Sequence, residues 1–291
     1  MTPGAGRRSS QLKQSNLRIG VVQMSMAKSV DSNVEKAGRM VEKAAELGAD
    51  VVCLPELFAW MYFPAERGAT PFPERIPGKV SAAVAAWAKE NQVIVVGGSL
   101  YEVSGRGRYN TSLTFDHTGK QVSKYRKVHI PMDEHYYEQD YFKPGRGYAV
   151  AKTSKGAFGT LICFDQWYPE PARVEKLMGA QVLFYPTAIG RVDGIEQSEG
   201  DWKRAWEAVQ VGHAISNSVV VCSVNRVGRE GGTSFWGGSF VCDQFGKVLR
   251  RAGPEEEVFV ADVDLALGGE VEAGWGFMRN RRKSTYSKIV S

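Results

Sequence analysis

The sequence predicts an α/β fold in which two β-sheets pack face to face and helices cover their outer faces. From residue 17 onward, apolar strand-like runs alternate with amphipathic helical ones, which calls for sheets covered by helices. Several strands also follow one another directly. An open doubly wound parallel sheet needs a crossover at each such step, so two sheets fit better than one.

The elements follow in order. Leu17 to Met24 reads as a buried strand, and Asn33 to Leu47 as a helix with Val34, Ala37, Val41, Ala44 and Ala45 on one face. Asp31 or Ser32 caps it and Gly48 stops it. Ala49 to Leu54 is the next strand, Val80 to Asn91 an alanine-rich helix, and Val93 to Leu100 a strand. Asn110 to Phe115 and Gln121 to Tyr125 form a hairpin around Asp116-His117-Thr118-Gly119. Strands at Tyr148 to Lys152 and Phe158 to Phe164 lead to a helix from about Glu170 to Met178. Gln181 to Tyr185 is a strand and Asp201 to Ser216 a long helix. The last third is β-rich, with strands at Val219 to Val224, Gly238 to Asp243, Lys247 to Arg251 and Val258 to Val263. Gly228, Gly231-Gly232, Gly246 and Gly253-Pro254 mark its turns. No repeat or linker interrupts this order, so residues 17–291 are expected to form one domain with an extension from about residue 265.

Composition narrows the function. The 291 residues are 43% hydrophobic and 24% charged, which excludes collagenous and disordered classes. Lys and Arg total 37 against 32 acids, a net +5. That excess sits locally at Arg7, Arg8 and Lys13 and at Arg279, Arg281, Arg282 and Lys283, so no nucleic-acid partner is expected. No apolar run approaches the roughly 18 residues that span a bilayer, and no membrane partner is expected. The leader, residues 1–16, is polar, lacks the apolar core of a signal peptide and is expected to be disordered. Cys53, Cys163, Cys222 and Cys242 are widely spaced, so they read as thiols of a cytoplasmic protein. Neither a phosphate loop nor a dinucleotide fingerprint is present, and His129 and His135 lack metal-ligand spacing, so no metal or cofactor is expected.

Three segments carry the chemistry. In Gly159-Thr160-Leu161-Ile162-Cys163-Phe164-Asp165-Gln166-Trp167-Tyr168-Pro169-Glu170 an apolar strand ends at Cys163 and a helix starts near Pro169. Such a turn presents a nucleophile at a sheet edge, but a thiol needs a base and a neighbouring cation to act there. Val51-Val52-Cys53-Leu54-Pro55-Glu56 ends another apolar strand in a carboxylate, where desolvation favours general-base work. Lys124-Tyr125-Arg126-Lys127-Val128-His129-Ile130-Pro131 places a lysine at a third strand end. Each segment alone also fits a structural role. Their joint occurrence, in order and in context, is a strong signal, with a noncatalytic oligomeric scaffold as the alternative from another class.

Together they resemble the nitrilase superfamily of carbon–nitrogen hydrolases, from Leu17 to about Tyr286. Its Glu, Lys and Cys signature matches Glu56, Lys127 and Cys163, and a second family glutamate matches Glu138, ahead of Tyr141-Phe142-Lys143-Pro144-Gly145. The resemblance implies a four-layer α-β-β-α sandwich that forms homodimers or larger homo-oligomers. It implies that Cys163 attacks a carbonyl, Glu56 moves the proton, Lys127 and the Phe164 backbone N–H hold the oxyanion, and Glu138 orients Lys127 or the substrate. Within the superfamily, Lys127 to Pro131, Cys163 to Glu170, Val182 to Gly190 and Gln210 to Ala214 are similar to the N-carbamoylputrescine amidases of polyamine synthesis. That similarity implies a small ureido or amide substrate, with another amidase or a nitrilase of the superfamily as the alternative. Phe164, Trp167 and Ala188 would line its pocket, and Asp193, Glu196 and Glu199 would meet an ammonium. Ala59 and Trp60 depart from those amidases, which carry Glu-Gly there.

Overall fold

The computed structural model describes residues 16–195 and 200–290. Residues 1–15 of the expected disordered leader, and the loop acids Glu196 and Glu199, lie outside them.

Strand β1 (Asn16–Gln23) pairs antiparallel with β16 (Glu257–Asp264) and parallel with β2 (Val51–Cys53). The sheet continues through β3 (Ile94–Val96) to β5 (Gly107–Phe115), which also pairs β4 (Leu100–Ser104) and β6 (Gln121–Arg126). A second sheet runs β15-β14-β11-β9-β8-β7. Its strands in chain order are β7 (Val150–Thr153), β8 (Gly156–Thr160), β9 (Val182–Pro186), β11 (Val220–Val224), β14 (Phe240–Cys242) and β15 (Val248–Arg251).

Side-chain alternation divides the core into three layers. Ile19, Val51, Cys53, Ile94 and Val96 of the first sheet meet Phe158, Val182, Phe184, Val220 and Cys222 of the second. The alternate residues Val22, Val52 and Val95 face helices α1 (Val30–Glu46) and α2 (Lys79–Glu90), through Val34, Ala37, Val41, Val80 and Val84. On the other side, Leu183, Tyr185, Val221 and Phe240 face α3 (Pro169–Leu177) and α4 (Trp202–Asn217), through Ala172, Trp206 and Ala214. Burial of each Val, Leu or Phe contributes about 1.5–3 kcal/mol, so these layers dominate the fold's stability. The expected four-layer α-β-β-α sandwich is what the chain adopts.

Some local expectations need correction. Ser29 caps α1, its hydroxyl accepting from the Ser32 N–H, so the helix starts earlier than Asp31 or Ser32 would have allowed. The run Val93 to Leu100 divides into β3 and β4, because Gly98 adopts φ +54° and a Cβ there would lie 2.1 Å from the Pro55 carbonyl oxygen. The strand expected to reach Phe164 stops at Thr160, and Cys163–Trp167 is a 3-10 turn. A third, three-stranded sheet was not foreseen: β10 (Gly190–Val192), β13 (Thr233–Trp236) and β12 (Val227–Glu230). Helix α5 (Ala266–Trp275) lies within the stretch read as an extension.

Candidate active site

The strand ends converge between the two sheets. Glu56 follows β2, Lys127 follows β6, Glu138 opens a 3-10 turn, and all three are fully buried. The Lys127 ammonium uses its donors on two carboxylates: Glu56 Oε1 at 2.9 Å, and Glu138 Oε1 and Oε2 at 2.8 and 2.7 Å. Asn110 Nδ2 donates to Glu56 Oε1 at 2.7 Å, and the Tyr62 hydroxyl donates to Glu138 Oε1 at 2.7 Å. Every oxygen of the two carboxylates then has a partner except Glu56 Oε2, which is buried and has none among the described residues.

Electrostatics follow from two anions sharing one cation. Burial pulls the Lys127 ammonium down, but Glu138 and Glu56 outweigh it and hold the proton on. Burial pushes the Glu138 carboxyl up, Lys127 pulls it down and Glu56 pushes it up again, leaving it at about 7. The Cys163 thiol is pushed well above its ordinary value by burial and by Glu56, with Lys127 opposing. A thiol in this setting ionises by handing its proton to a neighbour as it reacts, since a resting thiolate would stand beside two carboxylates.

Cys163 adopts φ +44°, a left-handed conformation that a residue with a Cβ rarely takes and that costs of order 1–3 kcal/mol. Its turn is held by buried polar neighbours. Asp165 accepts from Ile162 N at 2.9 Å, from the Tyr125 hydroxyl at 2.6 Å and from His129 N at 3.0 Å. Gln166 Oε1 accepts from Trp206 Nε1 at 3.0 Å and from Thr187 Oγ1 at 3.1 Å. Sγ of Cys163 lies 3.9 Å from the Ala188 carbonyl oxygen. The other three thiols are buried in apolar layers, as their strand settings foretold.

Cys163 opens onto a cavity of about 1070 Å³ lined by Tyr136, Phe164, Trp167, Ile189, Trp202 and Trp236, with charged residues at Asp133, Glu134, Arg191, Asp193, Asp201 and Lys203. Phe164 and Trp167 thus line it as expected, and Ala188 lies buried behind its wall. Asp193 reaches the cavity but its carboxylate pairs with the Arg229 guanidinium. Asn110, Tyr62, Asp165 and Gln166 were missed, because single polar residues in apolar runs carry no spacing signal.

A fully buried lysine thus stands between two carboxylates, and a strained cysteine beside them faces a cavity. The carbon–nitrogen hydrolase family model matches residues 18–273, and the chain belongs to that family, within the nitrilase superfamily; it is an enzyme of that class. N-carbamoylputrescine amidase of Oryza sativa subsp. japonica is 34% identical over 95% of each chain. Citrullinase of Francisella tularensis is 32% identical over 94% of this chain and 98% of its own. A carbon–nitrogen hydrolase from Helicobacter pylori superposes with a TM-score of 0.90 at 34% identity, covering 95% of this chain and 99% of that one.

Proposed function

We propose that the protein hydrolyses the ureido C–N bonds of N-carbamoylputrescine, releasing putrescine, CO2 and ammonia, with Glu56, Lys127 and Cys163 as the reacting set. The observation that carries this reading is Glu56 Oε2: a buried carboxylate oxygen left without a partner, in the field of the Cys163 thiol. It is free to take one proton. Cys163 passes its proton there as the sulfur attacks the ureido carbonyl carbon. A C–S bond forms and the carbonyl π pair moves to oxygen, where Lys127 and the Phe164 N–H stabilise it. Collapse expels an amine, which takes the proton from Glu56, since amines leave poorly unprotonated. Water, deprotonated by Glu56, then cleaves the C–S bond of the S-carbamoyl thioester, the departing sulfur takes that proton back from Glu56, and the carbamate formed breaks down to CO2 and the second amine. Glu138 holds Lys127 in place throughout.

The cavity supports the substrate choice. Trp167, Trp202 and Trp236 offer apolar faces for a short methylene chain. With Asp193 engaged by Arg229 and Asp201 accepting from the Arg204 N–H as the cap of α4, Asp133 and Glu134 are, among the described residues, the cavity carboxylates left to meet a far ammonium. A second reading has its own observation. Arg191 and Lys203 also line the cavity and suit a carboxylate, so a ureido amino acid such as citrulline is the alternative. Homodimer assembly and a cytoplasmic location belong to the same proposal, to be checked by light scattering and by cell fractionation.

Ammonia release over a panel of ureido compounds, amides and nitriles tests the assignment. N-carbamoylputrescine is expected to give the highest kcat/KM, and a preference for citrulline moves the reading to the alternative. Cys163→Ala is expected to lose at least about 10⁴-fold in kcat while folding normally, whereas Cys53→Ala, Cys222→Ala and Cys242→Ala keep activity. Turnover by folded Cys163→Ala overturns the mechanism.

A further inference from the structure

Just past β11, Asn225 and Arg226 grip both walls of the reaction centre from behind. Arg226 is fully buried, and its guanidinium spreads over one short stretch of chain. Nη2 donates to the Glu56 carbonyl at 2.6 Å and to the Leu57 carbonyl at 3.2 Å. Nη1 donates to the Trp60 carbonyl at 3.3 Å and to Glu230 Oε1 at 2.7 Å. The other Glu230 oxygen accepts from Tyr62 N at 2.5 Å, so the ion pair holds residues 56–62 at both ends. Leu57 within that stretch sits at φ +49°, a conformation that needs outside support. Glu56 leads the stretch, and Tyr62 closes it with its hydroxyl on Glu138.

Asn225 holds the opposite wall. Its Oδ1 accepts from Ile189 N at 3.0 Å and its Nδ2 donates to the Ile189 carbonyl at 2.9 Å. Ile189 follows Ala188, whose carbonyl faces the Cys163 sulfur. Two consecutive residues thus hold the segment carrying the base and the wall behind the thiol. Burying an ion pair costs several kcal/mol per ion before its attraction is counted, so stability alone is a weak reason to place Arg226 and Glu230 here.

We propose that Asn225 and Arg226, with Glu230, form a positioning element that sets the separation of the Glu56 carboxylate and the Cys163 thiol, and hence the proton transfer between them. The proposal rests on the reading of Glu56 as base and Cys163 as nucleophile. Arg226 touches neither reacting atom; it acts through the main chain of residues 56–60. A lysine has no planar fork and cannot hold three carbonyls and a carboxylate together.

The test uses full-length Arg226→Lys and Glu230→Gln, read by two measurements. One is kcat and KM with the preferred ureido substrate. The other is the rate of Cys163 alkylation by iodoacetamide from mildly acidic to alkaline pH, with Cys163→Ala as the blank for other thiols. In Arg226→Lys, kcat and the neutral-pH alkylation rate are expected to fall together by about ten- to a hundredfold, the scale of a small misplacement. KM stays within about threefold, and alkylation recovers only at higher pH. A structural role alone lowers the melting temperature and leaves the alkylation rate and its pH profile at wild-type values; that result overturns the proposal. If Arg226→Lys does not fold, the near-isosteric Glu230→Gln carries the same readouts with a smaller loss, and wild-type values there overturn it equally. Failure of the functional reading looks different. A wild-type protein that alkylates rapidly but turns over no ureido compound refutes the substrate and leaves positioning to be judged by alkylation. A wild-type Cys163 no more reactive than the blank refutes the base, and this proposal with it.

Discussion

Glu102 and Glu138 are both buried carboxylates that meet cations from β6 or the residue after it, yet their carboxyls shift in opposite directions. Glu102 has two cations to itself: Lys124 Nζ at 2.5 Å, and Arg126 through Nε at 2.8 Å and Nη2 at 2.7 Å. Burial pushes its carboxyl up, but the hydrogen bonds from Arg126, Lys124 and Thr111 outweigh burial and bring it down to about 2. One residue past β6 the ratio inverts, because Lys127 serves both Glu56 and Glu138. Lys124 and Arg126 are 31% and 29% exposed, whereas Lys127 is at 0%. The difference teaches that residue type does not make a reactive site. A surplus of cation locks a carboxylate as an anion, whereas a surplus of carboxylate around one dry cation leaves a proton to be shared.

Within these two carboxylate clusters, the largest expected effect comes from removing the central cation. Lys127→Met keeps most of the stem's volume and should lower kcat by at least about 100-fold, the scale of one oxyanion donor. Arg126→Met, one residue away, should leave kcat within about threefold and reduce stability instead, since Arg126 is spent on Glu102. Steady-state kinetics and thermal melts on both variants check the contrast. Equal losses of kcat would erase the distinction between the two clusters.

That contrast marks how far the sequence could be read. Glu56, Lys127 and Cys163 were legible because each stands at a strand end, after an apolar run for Glu56 and Cys163 and in a segment that ends in Pro131 for Lys127. Glu138 was not legible by that rule; it opens a 3-10 turn and needed the family pattern. Arg226 was invisible, since its bond to the Glu56 carbonyl spans 170 residues and no periodicity reports such a contact. The partner of Asp193 was out of reach for the same reason. The acid character of Asp193 was plain, but its pairing with Arg229 depends on a hairpin register that local sequence does not specify. The third sheet escaped because the buried and exposed positions of β12 do not alternate. Helix α5 escaped because Gly268 and Gly269 weaken its signal.

A smaller effect sharpens the comparison within the site. Glu138→Gln keeps an acceptor for Tyr62 or Lys127 but removes one of the two negative charges, and should lower kcat about tenfold. It also removes the group that titrates near pH 7, so an acid limb of kcat/KM there should be lost. Glu102→Gln should leave that limb in place. A pH–rate profile for both variants decides: an unchanged limb in Glu138→Gln would mean that another group sets it.

The smallest effect lies in acid stability and belongs to the Glu102 cluster. Its carboxyl titrates at about 2 in the fold against 4.5 in the open chain. Between those values the unfolded state binds the extra proton, so stability rises with pH across that window. The contribution is therefore complete above 4.5 and is lost as pH falls through about 2. Lys124 and Arg126 are partly open to solvent, which screens the interaction to about 1–2 kcal/mol. Glu102→Gln has no carboxyl to titrate at this position. Urea denaturation of wild type and variant at neutral pH and near pH 3 should show the wild-type advantage shrinking by part of that amount on acidification. The comparison of the two proteins cancels the other carboxylates, which titrate in both. A constant gap would mean that Glu102 is not held below its ordinary range, and the locked cluster would then differ from the one around Lys127 only in its exposure.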